Sequence, residues 1–162
     1  MKKTILILLS LILLSCGDTE NLNAIKGLMP VDVYLNMEKQ GFSTKKTFNS
    51  EYGNSWDNVK NENGISYSVN TFSMDMNSVE SIKATAIVSP PKKIEATKDF
   101  FKFVSSIPYD NSEPQKVINW LDSNFNNDKS SIIIGTAEFT IYNPSKLTRM
   151  LTIKKVVLTI QE

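Results

Sequence analysis

The sequence contains no histidine and a single cysteine, and these two absences exclude much of the chemistry open to small proteins. With one cysteine the chain cannot close a disulfide within itself. Without histidine it lacks the Cys/His and Ser/His pairs that activate a nucleophile, and it lacks zinc sites built from histidine and cysteine. We therefore predict no catalytic residue, no metal and no cofactor, and a protein that is not an enzyme.

A strong charge of either sign is also missing. The chain has 18 basic and 17 acidic residues, a net charge of +1. Removal of an N-terminal segment that holds Lys2 and Lys3, argued below, would leave 16 basic against 17 acidic residues and a net charge of −1. Proteins that bind nucleic acid carry a basic face that neutralises phosphates. We expect no nucleic-acid partner.

The most apolar run of the chain is too short to cross a membrane. Residues 5–14 (ILILLSLILL) are interrupted only by Ser10. As a helix this run would reach about 15 Å, half of the roughly 30 Å of hydrocarbon in a bilayer. A basic start, an apolar run of this length and small residues after it are typical of a secretory signal peptide. The segment predicts a location outside the cytoplasm.

The single cysteine, Cys16, ends this run in the sequence Leu13-Leu14-Ser15-Cys16. The stretch resembles the lipobox of bacterial lipoproteins, with Leu14 where a small residue is more usual. The resemblance covers residues 1–17 and implies that a diacylglyceryl group is attached to the Cys16 thiol and that the signal peptide is cut before it. Two or more acyl chains hold a protein stably on a bilayer, so we expect an N-terminal lipid anchor to the membrane.

The residues after Cys16 indicate which membrane carries the anchor. In the enterobacterial sorting pattern, an Asp directly after the cysteine retains a lipoprotein in the inner membrane, but here Gly17 holds that place and Asp18 the next. We expect the outer membrane of a Gram-negative bacterium, with the domain facing the periplasm or the cell surface. Asp18 and Glu20 also resemble a short form of the acidic export signal of Bacteroidota lipoproteins, and a solvated tether is the alternative interpretation.

The rest of the chain predicts one folded domain. Hydrophobic residues make up 41% and charged residues 22% of the sequence, which is typical of globular proteins. The length suits a single core. We assign residues 1–15 to the signal peptide, 16–28 to a lipidated flexible tether, and 29–162 to one domain that we expect to be monomeric.

Periodicity predicts the order of helices and strands. A helix is expected at roughly 30–40, followed by strands within 42–48, 55–61, 65–71 and 82–88, with an Asn-Gly hairpin turn at Asn63-Gly64. Two helices follow, one with an apolar ridge of Phe100, Phe103, Val104 and Ile107, and one over 113–125 with Ser112 and Gln115 as a capping box. The end reads as one long hairpin of two strands, 131–142 and 147–160. This order predicts an α+β fold, an antiparallel sheet with the helices on one face, in two diverged helix-then-strands halves.

A second resemblance covers residues 27–88. A glycine is followed by MPVDVYLNMEKQGF, a tryptophan (Trp56) in a strand, and the strands ISYSVNTF and VESIKATAIV. The layout is similar to the small envelope modules grouped with β-lactamase-inhibitor protein and the small lipoprotein of the outer-membrane assembly machine. It implies a helical element on an antiparallel sheet that acts by binding other proteins. No interface residues are carried over from either family.

Some side-chain groups have a chemical as well as a structural interpretation. Asp75 and Asn77 place oxygen donors two apart, as a calcium loop does, but the other ligands are missing, so we predict a turn. Ser43 and Lys46 match the S-x-x-K spacing of Ser-Lys catalysis, but in a predicted strand. The nearest candidate carboxylate pairs for acid–base work are Glu51 with Asp57 and Asp110 with Glu113.

Lysine doublets and aromatic residues are candidates for contact surfaces. Lys92-Lys93 and Lys154-Lys155 could meet lipid headgroups or an acidic partner, although each is an ordinary solvated pair on its own. Tryptophan and tyrosine carry much of the energy of protein interfaces. We nevertheless predict a core position for each of the aromatics considered, with the last at the core's edge: Trp56, Tyr52, Tyr67, Phe72 and Trp120.

Three functions are compatible with this sequence. We expect a non-enzymatic lipoprotein of the bacterial envelope that binds another envelope protein. One alternative is an envelope hydrolase that uses carboxylates on glycan or peptidoglycan, and another is a mobile-element lipoprotein that excludes phages or inhibits an enzyme. Two acids in one deep cleft would favour the hydrolase, whereas an exposed apolar patch would favour the binder.

Substitution of Cys16→Ala tests the lipid anchor. Because the alanine has no thiol to acylate, the variant should accumulate as an unprocessed precursor that takes up no labelled palmitate. Mass analysis and palmitate labelling in cells measure both effects. Palmitate incorporation into the variant at the wild-type level would place the lipid elsewhere.

Overall fold

Within residues 21–49 and 51–156, seven antiparallel strands form one sheet and three α-helices pack against it, so the predicted α+β class is confirmed. The computed structural model describes these residues apart from the side chain of Lys92. In chain order the elements are α1 (Pro30–Lys39), β1 (Ser43–Thr47), β2 (Asn54–Glu62), β3 (Ile65–Ser73), β4 (Ser81–Val88), a 3₁₀ helix (Pro91–Thr97), α2 (Lys98–Ser105), α3 (Pro114–Asn124), β5 (Lys129–Ile134), β6 (Ala137–Ser145) and β7 (Thr148–Lys155).

The sheet consists of two meanders joined at its centre. Its strand order is β1-β2-β3-β4-β7-β6-β5, which sets the last strand of each meander beside the other. α1 precedes the meander of β1 to β4, and α2 and α3 precede the meander of β5 to β7. β4 and β7 pair antiparallel, with Ala84 opposite Leu151. The predicted arrangement of two helix-then-strands halves is the one observed.

Alternation along the strands buries one face of the sheet. In β4 the side chains of Ile82, Ala84, Ala86 and Val88 are buried, whereas Lys83 and Ile87 are exposed on the other face. β6 and β7 continue the buried face with Phe139, Ile141, Leu151 and Ile153. α1 packs on β1 to β3, and α3 packs on β5 and β6. The described helices therefore cover the apolar face, and among residues 21–49 and 51–156 no helix covers the opposite face, which we call the open face.

Turn residues set the strand boundaries, and one of them corrects the sequence prediction. Asn63 and Gly64 have φ values of 53° and 74°, as the expected tight hairpin requires. The prediction of one strand over 131–142 is wrong because Gly135 (φ 57°) turns the chain between β5 and β6. A Cβ at Gly135 would lie 2.5 Å from the Asn111 carbonyl oxygen, so only glycine fits there.

Two details of the helical section also differ from the sequence prediction. α2 buries Phe101 and Val104 in the core, whereas Phe100 and Phe103, placed on the predicted ridge, are half-buried at its side. The capping box of Ser112 and Gln115 is wrong as well. Glu113 is the residue before α3, it makes no side-chain cap hydrogen bond, and Pro114 opens the helix.

The folded domain begins before residue 29, so the predicted extent of the tether is wrong. Ile25 and Leu28 are buried in the core. The Ile25 amide donates to the Val79 carbonyl at 2.7 Å, and the Val79 amide donates to the Leu28 carbonyl at 3.0 Å. Asn21 is attached as well, because its side-chain amide donates to Glu80 at 2.8 Å. Residues 16–20 of the predicted tether lie outside the described residues.

Truncation of Ile25 measures how much the N-terminal segment stabilises the domain. Ile25→Ala should lower the free energy of unfolding by about 2–5 kcal/mol, since it removes a fully buried side chain and leaves a cavity. Urea unfolding of a chain without residues 1–20 reports the change. Leu22→Ala, at a side chain that is 78% exposed, is the matched control and should stay within about 0.5 kcal/mol of the parent. Equal effects of the two substitutions would contradict the assigned boundary.

Candidate functional site

A cleft of about 270 Å³ opens on the helix side of the sheet, between the end of α1 and α2. Four aromatic residues line it, and we call it the aromatic cleft: Phe42, Tyr67, Phe100 and Phe103. Its remaining lining residues are Gln40, Lys60, Glu62, Ala96 and Asp99. Pockets for small molecules usually measure about 300–1,000 Å³, so this cleft is large enough for one bulky side chain or a small ligand fragment.

Local sequence explains why these aromatic rings meet. Gly41 adopts φ 80° after α1 and turns the chain, which brings Phe42 onto the buried side just before β1. Tyr67 lies on the same face of β3 as the core residues Ile65 and Val69. α2 carries aromatic residues on two adjacent stripes. Phe101 is buried in the core, and Phe100 and Phe103 therefore lie at the edge of the core, where they line the cleft. The cleft is the seam between the helical segments of the two halves.

The aromatic rings pack on one another and continue into the core. Phe42 stacks on Phe100 with ring centroids 5.9 Å apart, and Tyr67 lies 4.9 Å from Phe100. Phe100 in turn lies 5.0 Å from Phe101, which is fully buried. Aromatic pairs of this kind contribute about 0.5–1.5 kcal/mol each beyond the area they bury. The walls of the cleft are therefore braced by the core.

Charged groups stand at the rim of the cleft. Lys60 and Glu62 project from the same face of β2 and form an ion pair of 2.7 Å. Asp99 is exposed, and among residues 21–49 and 51–156 it forms no ion pair. Burial, and then the charge of Glu62, raise the pKa of Tyr67. The Tyr67 phenol therefore stays neutral at physiological pH and can donate a hydrogen bond into the cleft. The carboxylate of Asp99 at the rim favours a basic group on a bound partner.

The carboxylate pairs suggested by sequence do not form this site. Glu51 is exposed in the β1–β2 loop, and Asp57 lies on the open face, where it accepts a hydrogen bond from Asn70 at 2.6 Å. Glu113 forms an ion pair with Lys116 at 3.3 Å. The two acids that do line the cleft, Glu62 and Asp99, were not singled out, because one follows a strand pattern and the other a helical one.

Among the side chains that the structure describes, the Ser-Lys spacing and the lysine doublets contribute no residue to the aromatic cleft: Ser43, Lys46, Lys93, Lys154 and Lys155 all lie outside its lining. Ser43 pairs opposite Val59 on the open face, whereas Lys46 pairs opposite buried Trp56 and places its ammonium 4.0 Å from the Tyr34 ring centroid. Lys154 forms an ion pair with Glu138 at 3.1 Å. In the part of the chain that the structure describes, no three acidic, histidine or cysteine residues are grouped to hold a metal ion.

Asp75 organises a turn, as predicted. Its carboxylate accepts from the Asn77 and Ser78 amides at 2.9 and 2.8 Å and from the Ser78 hydroxyl at 2.7 Å. Burial works against its charged form, but these hydrogen bonds outweigh burial and lower the pKa of Asp75 to about 2. The Asn21 amide also reaches this carboxylate, at 3.4 Å. The loop thus fixes the start of the described chain.

The aromatic predictions have three outcomes. Trp56 is buried and Trp120 lies partly buried against the core, as predicted. Tyr52 is 71% exposed in the β1–β2 loop, and Phe72 lies on the open face of β3, so their predicted core positions are wrong. Tyr67 is half-buried in the aromatic cleft. Of the cleft residues, it alone was considered from sequence as a contact residue.

The segment that carries the predicted lipid anchor lies outside the described residues. This holds for Cys16, for the signal peptide over 1–15 and for the residues up to Glu20. Among the helices of residues 21–49 and 51–156, none combines the length and the hydropathy needed to cross a bilayer. The lipid attachment at Cys16 stays a prediction.

The hydrogen bonds to Asp75 predict an acid-dependent loss of stability. Because the folded-state pKa of about 2 lies below the ordinary value of 3.8, the unfolded chain binds the proton first as the pH falls. The stabilisation is complete above about pH 4 and is lost progressively between about pH 4 and pH 2. Asp75→Asn should lose less stability over that range in thermal melts, whereas Asp128→Asn, at an exposed acid outside this loop, should follow the parent. Parallel curves for all three proteins would contradict the assignment.

Comparison with known proteins provides no homologue. No family model, no curated protein and no solved structure matches the chain. The resemblances of residues 1–17 and 27–88 therefore stay predictions, and the function is argued from the aromatic cleft and the N-terminal sequence.

Proposed function

We propose that this chain is a lipid-anchored lipoprotein of the bacterial envelope whose domain binds another envelope protein and performs no catalysis. The observation that carries the binding role is the aromatic cleft, where four rings line an open concave site beside an exposed acid. Pockets of this kind receive the anchor residues that supply most of the energy of a protein interface. The anchor is supported by the lipobox-like end of the signal peptide at Cys16.

The lining of the cleft indicates the chemistry of the partner. Phe42, Phe100 and Phe103 present apolar and aromatic surface, which suits a leucine, methionine or aromatic side chain. Asp99 stands at the rim without an ion pair among the described residues, so a lysine or arginine of the partner can approach it. The partner segment is expected to place a bulky apolar residue next to a basic one.

One observation favours the hydrolase alternative enough to name it. Glu62 and Asp99 line the same cleft, as a carboxylate-dependent enzyme would require. Glu62 forms an ion pair with Lys60 at 2.7 Å, so one of its carboxylate oxygens already has a partner. Turnover of peptidoglycan by the purified domain, abolished by both Glu62→Gln and Asp99→Asn, would establish this activity in place of the binding role.

Crosslinking from the rim of the cleft tests the binding role. A photoreactive phenylalanine analogue placed at Ala96, which is exposed and lines the cleft, should yield one discrete adduct in intact cells. The same analogue at Ile133, which is 57% exposed on the open face, is the positional control and should not yield that adduct. An identical product pattern from both positions would contradict a partner bound at the cleft.

Variants of the cleft supply the quantitative arm of this test. Phe103→Ala should weaken binding of the identified partner about 30-fold, the loss expected when a central aromatic contact of about 2 kcal/mol is removed. Asp99→Asn changes charge without volume and should weaken it as well, whereas Glu51→Gln, in the β1–β2 loop, should not. Calorimetry with purified proteins measures all three. An unchanged affinity for both cleft variants would exclude the aromatic cleft as the interface.

A further inference from the structure

Exposed apolar side chains gather at the end of the domain where the described chain begins. Six large hydrophobic residues there are between 48% and 78% exposed: Leu22, Met29, Phe48, Tyr52, Met74 and Met76. We call them the N-terminal apolar surface. They come from the N-terminal segment, the β1–β2 loop and the β3–β4 loop. Apolar residues brought together from three separate segments mark a surface that contacts something apolar.

Neighbouring hollows connect this surface to the first described residues. Met29, Phe48 and Met76 line a hollow of about 290 Å³ that has Trp56 among its walls, and Phe48 packs edge-on against Trp56 at 5.9 Å. Met29 also lines the adjacent hollow, together with Asn21. Asn21 is held by the β3–β4 loop through Glu80 at 2.8 Å. The chain therefore enters the domain beside the apolar side chains.

Covalent geometry places this end of the domain close to the predicted lipid. Four residues separate Cys16 from Asn21. Even a fully extended chain keeps these two residues within about 18 Å of each other. Any membrane that holds the acyl chains of Cys16 thus lies within reach of the entry point. Because only four residues connect the proposed lipid at Cys16 to Asn21, a lipid bilayer is the partner that this surface is positioned to contact.

We propose that the N-terminal apolar surface rests on the membrane and inserts Met29, Phe48 and Met76 among the lipid headgroups and upper acyl chains. This inference rests on the proposed attachment of lipid at Cys16. Flexible methionine side chains adapt to an irregular apolar surrounding, and aromatic rings are favoured at the bilayer interface. The contact is apolar rather than electrostatic, because an acid lies beside the apolar residues in both loops: Glu51 follows Phe48 in the β1–β2 loop, and Asp75 lies between Met74 and Met76 in the β3–β4 loop. It should therefore form on zwitterionic lipid and persist at high salt.

The proposed contact orients the domain. The β1–β2 and β3–β4 loops face the membrane, and the strands of the first meander run away from it. The aromatic cleft, lined by residues near the far ends of β2 and β3, then points into the aqueous space. A partner can reach the cleft without competing with lipid.

A fluorophore at a single introduced thiol tests this orientation in the full-length lipoprotein. Acylation blocks Cys16, so a nitrobenzoxadiazole label reacts only with the new cysteine of Met76→Cys or, as a second reporter, Phe48→Cys. The matched control is Leu147→Cys, which is 41% exposed in the β6–β7 turn at the opposite end of β4. Each protein is reconstituted into phosphatidylcholine vesicles after its fold is checked by circular dichroism.

Labels at Met76 and Phe48 should shift their emission to shorter wavelength on reconstitution and lose intensity with spin-labelled lipid, while the label at Leu147 should do neither. If the protein stays on the vesicles and all three labels behave like Leu147, the membrane contact is wrong although the anchor is intact. A shift that is already complete in detergent, in a particle of dimer size, assigns the surface to a second copy and overturns the proposal. If Cys16 itself takes up the label and the protein leaves the vesicles, the proposed lipid attachment fails and this inference fails with it.

Discussion

The pairing of β4 with β7 is the interaction on which the rest of the structure depends. Each meander alone would expose the unpaired edge of its last strand, and joining the two edges converts them into the centre of one sheet. Because the register aligns Ala84 with Leu151 and Ile82 with Ile153, the buried faces of the two halves become continuous. Both sets of helices must then cover the same face, and they meet above the first meander. The aromatic cleft lies where the fit between them is incomplete.

Local packing distinguishes this cleft from the many shallow hollows of a protein surface. Phe42 comes from the first half and Phe100 from the second, and their stacked rings lie 5.9 Å apart, so each half supplies one wall. The rings continue through Phe101 to Phe125, with centroids 6.0 Å apart, deep in the core. A wall supported in this way does not collapse into the cleft when the cleft is unoccupied. Such a preformed site avoids part of the ordering cost of binding.

Sequence reasoning predicted what depends on local periodicity and failed where tertiary contacts decide. The helix at Pro30–Lys39, the Asn63-Gly64 turn and the alternation in β3 and β4 follow from neighbouring residues alone. The turn at Gly135 was missed because its need for glycine comes from Asn111, 24 positions away. In α2 the spacing of Phe100 and Phe103 suggested a buried ridge, whereas Phe101 is the ring that packs in the core, against Phe125 directly after α3, a contact that the local pattern does not show. The aromatic cleft is lined by the other two rings of α2, Phe100 and Phe103. A helix with more aromatic residues than one face can bury is a sequence signal for such a site.

The length of β3 determines how far from the membrane a partner would bind in the proposed arrangement. β3 has nine residues and runs from the loop that fixes Asn21 to the end of the sheet where the aromatic cleft opens, a rise of about 26 Å. An antiparallel sheet is stiff along its strands, so this distance does not vary as a flexible stalk would. In the proposed arrangement the sheet therefore holds the aromatic cleft at a fixed distance from the bilayer surface. Only molecules whose contact segment lies at that distance from the membrane would bind, and the domain would select them by position as well as by chemistry.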